Sequence, residues 1–215
     1  MRESYLERVS FRREAESIAR RSAALGRESF TPGATALLVI DMQGYFLNPK
    51  SHAFLPAAGS IIPGVSALAR AFSGVGLPVI FTRHLNTERD AGSLGTWWND
   101  LISAEHPLSA ISDELDTTLG SIIEKTQYDA LHETGLGARL RERGVTRVVI
   151  TGVATHLCCE TTARSAFVQG FQVTFPFDGT ATYDEHHHLA SLLNLSHGFA
   201  TIASVDELLK AVSQE

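Results

Sequence analysis

Hydrophobic runs separated by polar breaks recur along most of the chain, and their spacing predicts alternating strands and helices. Largely apolar runs predict strands at 36–40, 77–82, 121–124, 147–150, 171–175 and 199–202. Apolar residues at helical spacing predict helices at 61–75, 136–143, 163–170, about 185–195, and 205–212. This alternation is typical of an α/β fold, in which helices cover both faces of a parallel sheet of about six strands.

The N-terminal segment lacks that pattern. Residues 3 to about 24 predict a weakly amphipathic helix with sparse apolar positions such as Tyr5, Val9 and Ile18. Arginines and glutamates are interleaved there, whereas a transit peptide is poor in acidic residues and a secretory signal has an apolar core. We therefore predict an N-terminal helical arm at 1–30, one domain at 31–215, and a cytoplasmic protein.

Composition narrows the class of protein. The chain has 215 residues, of which 44% are hydrophobic, and a net charge of −6 without blocks of like charge. A surface that binds nucleic acid is usually basic, and a membrane span needs a long apolar run, so neither partner is expected. The two cysteines, Cys158 and Cys159, are adjacent. Their Cα atoms lie about 3.8 Å apart, which is closer than a relaxed disulfide prefers, so we expect free thiols.

Reactive residues stand at or just beyond the carboxyl ends of three predicted strands. Asp41 follows the first strand, Lys125 ends a short one, and Cys158 lies in a strand-to-helix turn. Ligands of parallel sheets bind at this edge, so we expect the three side chains to converge. A cysteine at the first turn of a helix faces unpaired N–H groups that favour its thiolate. The alternatives are a purely structural Asp–Lys pair and a cysteine that only packs in the core.

Three motifs together resemble the isochorismatase-like cysteine hydrolase superfamily. They are VIDMQ with YFL at 39–47, EKTQY at 124–128, and GVATHLCCETTAR at 152–164. The resemblance implies a three-layer α/β/α fold with a Rossmann-like sheet and an Asp41–Lys125–Cys158 triad. It places the nucleophile at Cys158 rather than Cys159, and a cis peptide bond before the turn, between Val153 and Ala154. It also implies a homo-oligomer, either a dimer or a tetramer.

The resemblance implies a hydrolase that cleaves a C–N bond of a small amide, ureido or carbamoyl compound. Asp41 takes the thiol proton, Lys125 holds the charges in place, and Cys158 forms a thioester. The N–H groups of Ala154 and Cys158 face the oxyanion. One alternative is vinyl-ether hydrolysis with Asp41 as proton donor, although true isochorismatases have glycine in place of Cys158. The other is a catalytically silent binding domain.

Further candidates come from the loops around this edge. The expected substrate-binding residues are Gln43, Phe46, His84, Trp97, Trp98 and Tyr128. The unpatterned loop at 85–107 is expected to determine specificity. Nicotinamidases of the superfamily bind a metal through an Asp-x-His motif, and residues 83–86 read RHLN instead. We therefore predict no catalytic metal and no other cofactor, and we disfavour nicotinamide as the substrate.

Overall fold

The structure is a computed structural model that describes residues 4–24, 30–98 and 100–214. The strands are β1 Thr35–Ile40, β2 Val79–His84, β3 Ser121–Lys125, β4 Arg147–Val153, β5 Gln172–Pro176, β6 Thr180–Ala181 and β7 Thr201–Ala203. The α-helices are α1 Val9–Ala23, α2 Gly44–Leu47, α3 Ala58–Gly74, α4 Leu94–Trp97, α5 Leu136–Glu142, α6 Glu160–Val168, α7 Glu185–Gly198 and α8 Val205–Val212. Among the helices described here, none has both the length and the apolar character needed to cross a membrane.

The strands form one parallel sheet in the order β3-β2-β1-β4-β5-β7, with β6 paired to the end of β4. This confirms the predicted α/β fold, and β6 brings the number of strands to seven. The sequence did not reveal β6, because two residues are too short to form a hydrophobic run. All six residues of β1 are buried, as expected for a central strand covered on both faces.

Helices pack on both sides of the sheet and enclose a continuous core. On one side α3 packs on β1, β2 and β4 and also contacts α8, whereas α6 packs on β4 and β5 and contacts α7. Both helix pairs contribute buried apolar side chains to the core that surrounds the central strands. The result is the predicted three-layer arrangement.

The N-terminal arm packs on the rest of the molecule. Helix α1 contacts α7 and β7, and its buried Phe11, Ala15 and Ile18 join the main core. Their spacing of four and three residues forms one apolar stripe. Val9, one of the sparse apolar positions of the arm, is by contrast 73% exposed. The boundary between arm and domain stays a prediction.

Candidate active site

The carboxyl edge of the sheet brings the three predicted residues together. Asp41 follows β1 and Lys125 ends β3, with the lysine Nζ 2.7 Å from Oδ2 of the aspartate and both side chains fully buried. Cys158 lies in the turn between β4 and α6, and its Sγ is within 4.8 Å of an Asp41 carboxylate oxygen. An acid, an ammonium group and a thiol therefore lie together at one buried site.

Asp41 is held by its backbone and by Thr82. Its φ of 48° lies in the left-handed region, where a non-glycine residue is strained. The Thr82 hydroxyl accepts from the Asp41 N–H at 3.0 Å and donates to Asp41 Oδ1 at 2.6 Å. Oδ2 faces Lys125 but accepts no hydrogen bond of good geometry. One oxygen is thus fixed, and the other is left for proton exchange.

Lys125 is surrounded by acceptors. Its ammonium group donates to the carbonyl oxygens of Gln127 at 2.8 Å and Tyr128 at 3.2 Å, and lies 3.3 Å from Nδ1 of His84. Burial by itself lowers the pKa of Lys125, but attraction to Asp41 and Cys158 outweighs it and leaves the pKa above its usual value. Lys125 is therefore a permanent cation beside the carboxylate.

Burial decides the protonation of Cys158. Desolvation raises the pKa of its thiol to about 12, against the lowering effect of Lys125. Removal from water thus acts against the thiolate that the helix terminus favours, and it outweighs the favourable charge of Lys125. The raised pKa favours a thiol at rest, and a thiolate would form only when the proton moves to a base such as Asp41.

The turn that carries Cys158 has an unusual backbone. Gly152 has a φ of 106°, and a Cβ there would lie 2.1 Å from the Ile40 carbonyl oxygen, so only glycine allows β1 and β4 to approach so closely. The Val153–Ala154 peptide bond is cis, as the resemblance implied. A π-helical turn, Thr155–Cys159, then precedes α6, so α6 begins at Glu160 rather than at the predicted residue 163.

The two adjacent cysteines of the π-helical turn have different surroundings. Cys158 and Ala154, the predicted oxyanion residues, both line a cavity of about 310 Å³ at this sheet edge. Cys159 is fully buried, with its Sγ 3.9 Å from the Thr151 carbonyl oxygen, and does not line the cavity. Both cysteines are free thiols, as predicted. Only Cys158 is placed where a small molecule could meet it.

Four of the six predicted substrate-binding residues line the cavity, namely Phe46, His84, Trp98 and Tyr128. Gln43 and Trp97 do not. The Gln43 amide donates to the carbonyl oxygens of His84 and Ser109 and accepts from the His84 N–H, so none of it is left for a ligand. Trp97 extends into solvent with 75% of its surface exposed.

His84 is uncharged, and polar contacts hold both of its ring nitrogens. Burial and the neighbouring Lys125 lower its pKa to about 4. Its Nε2 lies 2.7 Å from Oδ1 of Asn86, which fixes Nε2 as the donor and leaves Nδ1 to accept from Lys125. The imidazole therefore faces the cavity without a charge.

Sequence reasoning missed several lining residues, of which Tyr45, His52, Asp100 and Tyr183 are polar. Asp100 lies in the loop at 85–107, so its general location was predicted but its role was not. Tyr183 follows β6, the strand without a hydrophobic signal. Nothing in the spacing of His52 indicates that it meets Tyr45, because the contact arises from the loop between α2 and α3.

A metal ion fits this pocket poorly. Donor atoms of Asp41, His84 and Cys158 lie within 4.8 Å of one another, as in a metal site. The Lys125 ammonium group, however, already contacts both Asp41 and His84 and supplies the positive charge. A divalent cation bound by these donors would face that charge at close range. The expectation of no catalytic metal stays a prediction.

Comparison with known proteins gives a consistent result. The isochorismatase domain family matches residues 35–207. Nicotinamidase 3 of Arabidopsis thaliana is 40% identical over 182 residues, covering 82% of this chain and 88% of that protein. Enterobactin synthase component B of Escherichia coli K12 is 27% identical over 85% of this chain, which spans 65% of that protein. A cysteine hydrolase from Pseudomonas syringae pv. phaseolicola is 23% identical and has the same fold, with a TM-score of 0.83 over 87% of this chain and 96% of its own.

Proposed function

Because the chain belongs to the isochorismatase family, we propose that it hydrolyses a C–N bond of a small amide, ureido or carbamoyl compound through a thioester on Cys158. One observation carries the proposal: Cys158 lines an open cavity while its Sγ lies within 4.8 Å of the Asp41 carboxylate. A buried thiol beside a base and a fixed cation is the arrangement that covalent catalysis requires.

The reaction follows from the position of the proton. Asp41 takes the proton from Cys158, and the sulfur attacks the carbonyl carbon to form a C–S bond. The carbonyl oxygen becomes an oxyanion, which the N–H groups of Ala154 and Cys158 stabilise. The C–N bond then breaks as Asp41 returns its proton to the departing amine. Asp41 next removes a proton from water, which attacks the thioester, and the released sulfur recovers the proton from Asp41.

Lys125 allows this cycle to proceed in a buried site. While Asp41 is ionised, the aspartate and lysine form a neutral pair 2.7 Å apart. When the proton reaches Asp41, the negative charge moves to sulfur, and the same ammonium group stabilises it. The net charge of the pocket is constant in both states, so proton transfer does not leave an isolated buried charge.

Vinyl-ether hydrolysis is not favoured as the alternative. That reaction needs a proton donor such as Asp41 and no thiol, whereas Cys158 lines the cavity and Asp41 does not. A silent binding domain is equally disfavoured, because the strained Asp41 backbone has no evident purpose in packing. The sequence motifs disfavoured nicotinamide as the substrate. We include it again among the candidate substrates, because the chain is 40% identical to a protein named a nicotinamidase.

The first prediction compares the two adjacent cysteines. Cys158→Ala removes the nucleophile and is expected to lower kcat for amide hydrolysis by about 10³-fold or more. Cys159→Ala truncates a neighbouring thiol outside the cavity and is expected to keep activity within about threefold, despite some loss of stability. Ammonia release from a panel that includes nicotinamide and ureido acids measures both. An active Cys158→Ala enzyme would contradict the proposal.

We further propose that the protein acts in the cytoplasm as a homo-oligomer. Two free thiols suit a reducing compartment. Phe167 and Val168 at the end of α6 are 48% and 79% exposed, which is unusual for neighbouring apolar side chains and suits an interface. Light scattering at several protein concentrations tests the oligomeric state, and a monomer at all of them would contradict it.

A further inference from the structure

Three polar side chains meet at the exposed side of the cavity. Tyr45 donates its hydroxyl hydrogen to Asp100 Oδ2 at 2.7 Å, and His52 Nε2 lies 2.6 Å from the Tyr45 oxygen and 2.8 Å from the same Oδ2. All three line the cavity together with Cys158. We call Tyr45, His52 and Asp100 the rim cluster.

The rim cluster carries negative charge. The hydrogen bond from Tyr45 holds the pKa of Asp100 below its usual value, so Asp100 is a carboxylate. Burial, followed by the bond to Asp100, raises the pKa of Tyr45, which keeps it a neutral phenol. His52 donates from Nε2, and even as an imidazolium it would bring the cluster only to neutrality.

Nothing else that lines the cavity supplies positive charge. None of the lining residues that the structure describes is a lysine or arginine. His84 is held neutral by its pKa of about 4. The charge of Lys125, which lies beneath the cavity, is matched by Asp41 at 2.7 Å. A substrate carboxylate would therefore lose water without gaining a counter-ion.

The remaining walls are mostly apolar. They include the side chains of Phe46, Leu94, Trp98, Ile102 and Leu157. Such walls suit a ring or a compact hydrocarbon body next to the reacting carbonyl group. A cavity of about 310 Å³ sets the size of that body at one small ring with a short substituent.

From this distribution of charge we propose that Asp100 is a specificity-determining residue, which selects small neutral or cationic amides and rejects substrates that carry a carboxylate. The inference rests on the proposed function and refines it. Of the substrate classes considered above, it favours simple carboxamides and disfavours ureido and carbamoyl acids. Asp100 acts on the distal end of the substrate and takes no part in bond cleavage.

A matched set of three compounds tests the charge preference. The probes are 3-methylbenzamide, 3-(aminomethyl)benzamide and 3-carboxybenzamide, which share the amide and the ring but are neutral, cationic and anionic. We expect kcat/KM to follow the order cationic, neutral, anionic, with the anion at least about fivefold below the neutral compound. Raising the salt concentration should reduce the differences in kcat/KM among the three probes, because Asp100 is partly exposed to solvent and its charge is screened.

Variants at position 100 isolate the carboxylate. Asp100→Asn should reduce the cation-to-anion ratio of kcat/KM by about fivefold or more, and Asp100→Glu should keep the preference. Glu142→Gln removes the same charge at the end of α5 and is the control, expected to leave the ratio unchanged. A ratio that Asp100→Asn leaves intact, or that Glu142→Gln reduces equally, would overturn the inference.

Binding separates this inference from the proposed function. Calorimetric titration of Cys158→Ala with the three probes measures the charge order without any chemistry. If the order appears in binding but the wild-type enzyme hydrolyses neither these compounds nor any member of the amide and ureido panel, the proposed function fails and the selectivity stands. If the amides are hydrolysed but the carboxylate compound binds equally well or better, or if none of the three binds, the inference fails.

Discussion

At Cys158, burial and charge act on the thiol in opposite directions. Removal from water raises the pKa of Cys158 and Lys125 lowers it, and with the further raising effect of Asp41 the result is about 12. From the sequence, the position of Cys158 at a helix terminus favours a thiolate. The sequence does not show the desolvation that tertiary packing imposes on the thiol, and this desolvation raises its pKa. In the proposed mechanism the thiolate therefore forms only when a base takes the proton, and Asp41, whose Oδ1 accepts from the Thr82 hydroxyl, lies in direct reach of the sulfur.

The second prediction concerns the pH dependence of Cys158 alkylation. A thiol with a raised pKa reacts slowly at neutral pH, so the rate with iodoacetamide in the free enzyme should keep rising beyond pH 10. Peptide mapping assigns the rate to Cys158 rather than Cys159. A plateau near pH 7 to 8 would contradict the resting thiol, because it would show a thiolate already formed.

Among the elements, those with a strong hydrophobic pattern were predicted well and those set by contacts were not. Residues 36–40 of β1 were predicted from a continuous apolar run, and the whole of α8 was predicted from the spacing of its apolar residues. By contrast, the two-residue β6 exists because it pairs with the end of β4, and the π-helical turn forms where the chain leaves that strand. Both lie at the active site, where local preference yields to tertiary contacts.

The N-terminal arm is coupled to the cavity through one hydroxyl group. Tyr5 accepts from the Thr182 N–H at 3.0 Å and lies 2.9 Å from Nδ1 of His188. Thr182 in turn contacts His156 Nδ1 at 2.6 Å and precedes Tyr183, which lines the cavity. The arm thus supports one wall of the active site from behind.

The third prediction tests that support. Tyr5→Phe leaves the Thr182 N–H and His188 Nδ1 without the Tyr5 hydroxyl, and is expected to lower the free energy of unfolding by about 1–3 kcal/mol. Urea denaturation measures this loss, and a higher KM should accompany it as the Tyr183 wall loosens. Val9→Ala changes an exposed residue of the same arm and should leave both unchanged. If Tyr5→Phe and the wild type were equally stable, the N-terminal arm would not be coupled to the cavity wall through this hydroxyl group.

At the scale of the whole molecule, the topology of the sheet explains why residues far apart in the sequence could be predicted to lie close together in one site. Asp41 and Lys125 are far apart in sequence, but parallel strands bring their carboxyl ends to one edge. Topology does not fix how the connecting loops fold over that edge. Gln43 was therefore assigned to the substrate, although its amide braces the loops, and Asp100 was not singled out.

The fourth prediction is the response of global stability to acid. Burial lowers the pKa of His188 from 6.5 to about 3, and burial with Lys125 lowers that of His84 from 6.5 to about 4. The unfolded chain takes up these protons below pH 6.5, while the folded protein does so only nearer pH 3 to 4. Stability is therefore complete above pH 6.5 and falls below it, with a slope approaching about 2.7 kcal/mol per pH unit for two histidines.

Variants assign that slope to particular residues. His188→Gln should reduce the acid-dependent loss of unfolding free energy by the contribution of one of the two histidines. His132→Gln, at an exposed position, should leave that loss unchanged. Urea unfolding at pH 7.5, 6.0 and 5.0 gives the comparison. A free energy of unfolding that does not change over this range in the wild type would contradict neutral, buried histidines.

The covalent intermediate is the central claim, and mass spectrometry of the acid-quenched reaction tests it most directly. With the best amide substrate, the account predicts a steady-state adduct equal to the substrate minus ammonia, located by peptide mapping on Cys158 and absent from Cys158→Ala. Turnover without an adduct on Cys158 in rapid-quench experiments, together with full activity of Cys158→Ala, would contradict it.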